Sequence, residues 1–142
     1  MFLGEFRHSL DDKSRITLPA KFRSELQQGV VMTAGMDHYV LIYPRAEFEL
    51  LAEKVNHLPL TGRDAATLRR LLFVNANDAI PDKQGRIIVP ELLRQYASIS
   101  ADVVIVGVGK FIEMWSPEEW QRARSEIAEH AAQESIWAKL GI

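Results

Sequence analysis

Residues Asp11–Arg23 read DDKSRITLPAKFR, and residues Asp82–Arg94 read DKQGRIIVPELLR. Aligning Asp11 with Asp82 places Ser14 on Gly85, Arg15 on Arg86, Ile16 on Ile87, Leu18 on Val89, Pro19 on Pro90 and Arg23 on Arg94. So specific a pattern, repeated at a spacing of 71 residues, marks the chain as two copies of one unit. With one residue of slippage, YVLIYPRAEF (39–48) meets FIEMWSPEEW (111–120). Tyr43 then falls on Trp115 and Phe48 on Trp120, and upstream Phe2 meets Phe73.

Each copy reads as strand, turn, strand, short helix, two strands and a longer helix. DDKS and DKQG are turns, because Asp bonds nearby backbone through its side chain and Gly85 tolerates positive φ; Ser14 is less comfortable there. RITL and RIIV are short and β-branched, as strands are. Pro19 and Pro90 suit a first helical turn, after which Phe22 and Leu26, and Leu92 and Tyr96, are expected to share a face. VVMTA, HYVLIY, DVVIVGV and KFIEMW read as further strands. The longer helices are RAEFELLAEKVNHL with RDAATLRRLLF, and one from SPEEW to about Leu140. Ser116, Pro117 and Glu119 form a capping-box start for the latter, and Thr61 and Asp64 are candidate caps in the first half. No Gly/Ser linker separates the halves, and strand-rich units this small bury too little surface alone. The expectation is an α+β fold in which both copies interdigitate in one pseudo-symmetric barrel.

Composition narrows the function classes. The chain has 142 residues, 47% hydrophobic, with net charge −2 and no cysteine. Disulfides and thiolate metal sites are excluded, and bulk charge does not recruit nucleic acid. No apolar run is long enough to span a bilayer, and Glu5 and Arg7 interrupt any export signal, so the expectation is a cytoplasmic protein without membrane association. His8, His38, His57 and His130 lack metal-binding spacing, and GVGK (107–110) reads as a strand turn. With no nucleophile–base–acid pattern, the expectation is no enzyme, no cofactor, no metal and no small-molecule substrate. The aromatics recurring at equivalent positions point to packing.

Charge is concentrated at the repeated motif. Residues 1–23 carry Arg7, Lys13, Arg15, Lys21 and Arg23 against Glu5, Asp11 and Asp12; the second motif carries Lys83, Arg86 and Arg94 against Asp82 and Glu91. An arginine fork grips phosphate or the O6 and N7 of guanine. Arg15 and Arg86 begin a strand directly after a turn, which would hold the fork rigidly; a solvated turn charge is the bland alternative. Arg23 and Arg94 could touch phosphate or pair with Asp11 and Asp82 to brace the turns.

The pattern Asp-x-Lys-Gly-Arg, apolar strand, Pro, Arg resembles the AbrB-type DNA-binding loop. Two copies in one chain that opens MFLGEF and carries LIYP after the first resemble the MraZ family. The first copy departs from the pattern with Ser14 in the glycine position; the second has Gln84 in the lysine position and Lys83 one residue early. The resemblance implies a double-split, swapped-hairpin β-barrel, with AbrB-type repeats at 5–47 and 76–119, a helical connection at 48–75 and a C-terminal helix at 120–142. It also implies a transcriptional regulator of the division and cell wall gene cluster, associated with the nucleoid. Such a regulator binds tandem promoter repeats of double-stranded DNA as a ring-shaped, octamer-like homo-oligomer. Lys13, Arg15, Lys83 and Arg86 would contact DNA, with Arg7, Arg23 and Arg94 as further candidates, while Asp11, Ser14, Asp82 and Gly85 shape the turns. An antidote or scaffold protein acting through protein partners is the alternative.

Overall fold

A computed structural model describes the chain from Met1 to Ile142, the side chain of Glu134 excepted. Eight strands form: β1 (Phe2–Ser9), β2 (Arg15–Thr17), β3 (Val30–Ala34), β4 (Val40–Pro44), β5 (Asn77–Ala79), β6 (Arg86–Ile88), β7 (Asp102–Gly109) and β8 (Ile112–Trp115). A 3-10 turn at Ala20–Phe22 leads into α1 (Arg23–Leu26). The other helices are α2 (Arg45–Asn56), α3 (Arg63–Val74), α4 (Glu91–Tyr96), α5 (Pro117–Ala131) and α6 (Glu134–Lys139).

Six strands make one antiparallel sheet in the order β1-β7-β8-β4-β3-β5, and β2 pairs with β6 as a separate two-stranded ribbon. The order shows how the repeats interleave. The β3–β4 hairpin of the first copy takes β5, from the second, on its outer side. The β7–β8 hairpin takes β1, from the first, on its outer side. Hairpins β3–β4 and β7–β8 join through β4 and β8, and the ribbon takes one strand from each copy. The fold is α+β as the sequence indicates; its ladders form an open six-stranded order plus the ribbon, and no ladder among the described residues joins β1 to β5.

Period-two alternation separates the faces of the sheet. Met32, Ile42, Val103, Ile105, Ile112 and Met114 point inward and meet Ile16, Leu18, Ile87 and Val89 from the ribbon and its ends, with Phe22 and Leu26 from the 3-10 turn and α1, and Leu93 and Ala97 from α4 and its C-cap. Phe22 sits edge-on to Phe2 at 5.1 Å and to Phe6 at 5.2 Å between ring centroids, contacts that add about 0.5–1.5 kcal/mol each beyond area burial. On the outer face, Leu41 packs with Val55 and Leu72 beneath α2 and α3, and Val104 with Trp115 and Trp120 beneath α5. The buried Thr33 hydroxyl donates to the Leu72 carbonyl at 2.6 Å, tying β3 to α3. The equivalent aromatics do pack: Tyr43 lies against Phe48, and Trp115 against Trp120.

Several local expectations need correction. Pro19 and Pro90 are N-cap residues with extended ψ rather than first helical residues. The buried face of α4 is Leu93 and Ala97, the counterparts of Phe22 and Leu26; Leu92 is 73% exposed. Phe2 is a buried strand residue, whereas Phe73 lies in α3, so the likeness between the copies stops short of that pair. Gly62 occupies the N-cap of α3, and neither Thr61 nor Asp64 caps it. Ser116 does cap α5, its hydroxyl accepting from the Glu119 amide at 3.2 Å. The single C-terminal helix is instead two, broken at Ala132–Gln133. Beyond Ala123 the helix has no core to lie on. The chain folds back so that Ile136, Trp137, Leu140 and Ile142 gather around Ala131.

Candidate nucleic-acid interface

The two motif turns are nearly superimposable in their bonding. The Asp11 carboxylate accepts from the Lys13 and Arg15 amides, both at 2.9 Å, and from Arg15 Nε at 2.7 Å. Asp82 accepts from the Gln84 and Arg86 amides at 2.9 Å and from Arg86 Nε at 2.8 Å. In each turn the residue three after the aspartate donates its amide back to the aspartate carbonyl, and the aspartate amide donates to the arginine carbonyl. That residue is left-handed, Ser14 at φ 59° and Gly85 at φ 77°, as in three-residue hairpin loops closed by a bulge. Bonds from these amides, foremost those of Arg15 and Arg86, hold both carboxyls below the ordinary carboxylate value of 3.8. Hydrogen bonding to the charged form favours it.

Each turn is also bonded to the other copy. The Leu18 amide donates to the Gly85 carbonyl at 2.8 Å and the Val89 amide to the Ser14 carbonyl at 2.9 Å. Arg23 Nε donates to the Leu18 carbonyl and Arg94 Nε to the Val89 carbonyl, both at 3.1 Å. The Arg23 side chain crosses Gly85 so closely that a Cβ there would lie 2.5 Å from its Nε. Among the described residues neither Arg23 nor Arg94 pairs with Asp11 or Asp82; their Nε atoms bond the backbone after each motif strand.

The ribbon register decides what faces out. Ile16 and Ile87 are directly opposed and buried. Arg15 opposes Ile88 and Thr17 opposes Arg86, so these four side chains share the outer face around a local pseudo-two-fold. The arginine side chains are 25% and 29% exposed. Each spends its Nε on an aspartate, and no bond from the terminal guanidinium nitrogens is present among the described residues. The fork is thereby aimed while its outer edge stays open.

The other candidates scatter. Lys13 and Lys83 are exposed on the two turns. Arg7 stands opposite Val104, on the face of the sheet covered by α5, and so away from the ribbon. The structure therefore unites Arg15, Arg86, Lys13 and Lys83 with the aspartates, sets Arg23 and Arg94 against the backbone after each motif strand, and separates Arg7. Thr17 and Ile88 were missed as members of the face; alternation within RIT and RII is the signal that carries them. Two further displaced groups lie outside the ribbon: burial pushes Tyr39, packed on Trp115, up to about 12, and raises Glu113.

A family profile described as "MraZ protein, putative antitoxin-like" matches residues 1–71 and again residues 72–136. The chain belongs to the MraZ family. A protein of Herpetosiphon aurantiacus named Transcriptional regulator MraZ is 47% identical over 131 residues, covering 92% of each chain. The protein of that name from Natranaerobius thermophilus is 46% identical, covering 96% of this chain and 97% of its own. The one from Clostridium tetani is 41% identical over the full length of both.

Proposed function

We propose that this chain is a sequence-specific DNA-binding transcriptional regulator that lays the outer face of the β2–β6 ribbon into a major groove. A two-stranded ribbon fits that groove, and arginine reads guanine there through its terminal nitrogens. The observation that carries the reading is the paired geometry: two aspartate-aimed arginines on one face, repeated by a pseudo-two-fold. Membership of a family whose relatives are named transcriptional regulators supports it. Lys13 and Lys83 take phosphates beside the arginines, and the repeats at 5–47 and 76–119 supply one turn each.

In this reading the protein is not an enzyme and works in the cytoplasm at the nucleoid, on tandem promoter repeats before the division and cell wall genes. No helix among the described residues is long and apolar enough to cross a membrane. One ribbon is thin for selection against a genome of competing sites, and a ring of copies multiplies it by effective concentration. Exposed Leu50, Leu60, Val74 and Leu92 on the helices and their flanks support such contacts.

The test uses DNA selected from a random pool by the purified full chain, and an unrelated duplex, between 50 and 200 mM salt. Arg15→Ala and Arg86→Ala should each lose about 5–150-fold on the selected DNA, the equivalent of about 1–3 kcal/mol for one bidentate contact. A phosphate-only role would weaken both duplexes equally and flatten the salt slope. Arg63→Ala is the control. Folded, assembled arginine variants with wild-type affinity and slope would remove the ribbon as the DNA-reading surface.

A further inference from the structure

The outer face of the ribbon is symmetric in its arginines and asymmetric in everything beside them. Arg15 has Ile88 as its cross-strand neighbour, whereas Arg86 has Thr17. Directly opposed side chains stand about 4.5–5.5 Å apart at Cβ, so each arginine works next to a different chemistry. A single exposed isoleucine is ordinary on a protein surface. This one is 60% exposed, at the Arg15 end of the face that carries both aimed forks. Its counterpart in the first copy is a threonine, which has a hydroxyl to offer.

Resting on the DNA-reading ribbon proposed above, we infer that Ile88 is a specificity residue that packs against the 5-methyl group of a thymine beside the base contacted by Arg15. In the major groove thymine alone carries that methyl group, and an apolar side chain is what detects it. Thr17 offers one methyl group beside a hydroxyl that bonds donors or acceptors without committing to one base, where Ile88 is wholly apolar. The two ends of the pseudo-symmetric ribbon therefore select unequal half-sites, and the recognised DNA has a direction. An asymmetric element repeated head to tail can be followed by identical subunits in one orientation. A palindromic element would leave one of each pair of ends mismatched.

The experiment uses the full chain and duplexes recovered from the random pool. Each thymine in turn is replaced by deoxyuridine, which removes only the methyl group. Wild type should lose about fourfold at one thymine per element, the equivalent of about 0.8 kcal/mol for one buried methyl-sized group. Ile88→Ser should bind the unmodified duplex about as weakly as wild type binds the deoxyuridine duplex, and should be indifferent to that replacement. Ile88→Val should retain the sensitivity. Three outcomes overturn the inference: wild type indifferent to every replacement while Arg15→Ala and Arg86→Ala still lose binding; methyl sensitivity undiminished in Ile88→Ser; or Ile88→Ser altering subunit number in sedimentation with no methyl effect, which would assign the side chain to a contact between copies. If both arginine variants bind like wild type, the ribbon reading itself fails, and Ile88 with it.

Discussion

Gly85→Ala tests the contact between the two copies. The first turn holds Ser14 at φ 59°, so the left-handed conformation by itself accepts a side chain. At Gly85 the obstacle is Arg23: a Cβ would stand 2.5 Å from its Nε and 2.8 Å from its Cδ. The arginine must then give up the Leu18 carbonyl, now 3.1 Å away. Left-handed backbone costs an alanine about 1–2 kcal/mol, and the stiffer unfolded chain returns about 0.4–1. The lost hydrogen bond adds about 1–1.5. The sum is about 1–3 kcal/mol, or a Tm lower by about 3–9 °C at about 3 °C per kcal/mol for a chain this size. In an Arg23→Ala background only the backbone part persists, about 1 kcal/mol and about 3 °C. The assay is thermal unfolding of wild type, both single variants and the double variant at one protein concentration, because association raises Tm. An equal loss from Gly85→Ala in both backgrounds would refute the steric account, as would no loss in either.

A fragment spanning residues 1–71 should show no cooperative thermal transition, because β1, β2, β3 and β4 all pair with strands of the second half; a sharp monomeric transition would contradict the interleaved topology. Thr33→Val should cost about 1–2 kcal/mol in urea unfolding, since it orphans the buried Leu72 carbonyl that Thr33 bonds at 2.6 Å. Glu113→Gln should raise Tm at neutral pH: burial raises the native carboxyl, so its charged form weakens the fold above that native value. The gain should vanish below the unfolded carboxylate value, where both states are protonated. Asp11 and Asp82 act in the opposite sense. Their depressed native values make their stabilisation complete above the ordinary 3.8 and lost as pH falls through the native value. Asp11→Asn with Asp82→Asn should accordingly flatten the acid limb of the melting profile.

Whatever is local or repeated was legible in the residues alone. Asp, a left-handed position and Arg at fixed spacing specify the turn, because the aspartate satisfies two amides within four residues of itself. Short β-branched runs specify strands, and the doubled motif specified two equivalent turns and the family. Partnership was decided only in three dimensions. Nothing in residues 30–34 names β5 as an edge partner; that follows from two half-units each too small to bury its hairpin alone. Arg7 and Arg15 look alike in sequence, yet one stands exposed on the sheet face that carries α5 and the other on the ribbon, since strand pairing and parity assign the face. Arg23 and Arg94 could have paired with Asp11 and Asp82 by sequence, and the fold instead brought carbonyls within 3.1 Å of their Nε atoms. The C-terminal helix outruns its packing surface, which ends at Ala123, and breaks after Ala131; helix periodicity cannot tell how far a core extends beneath it.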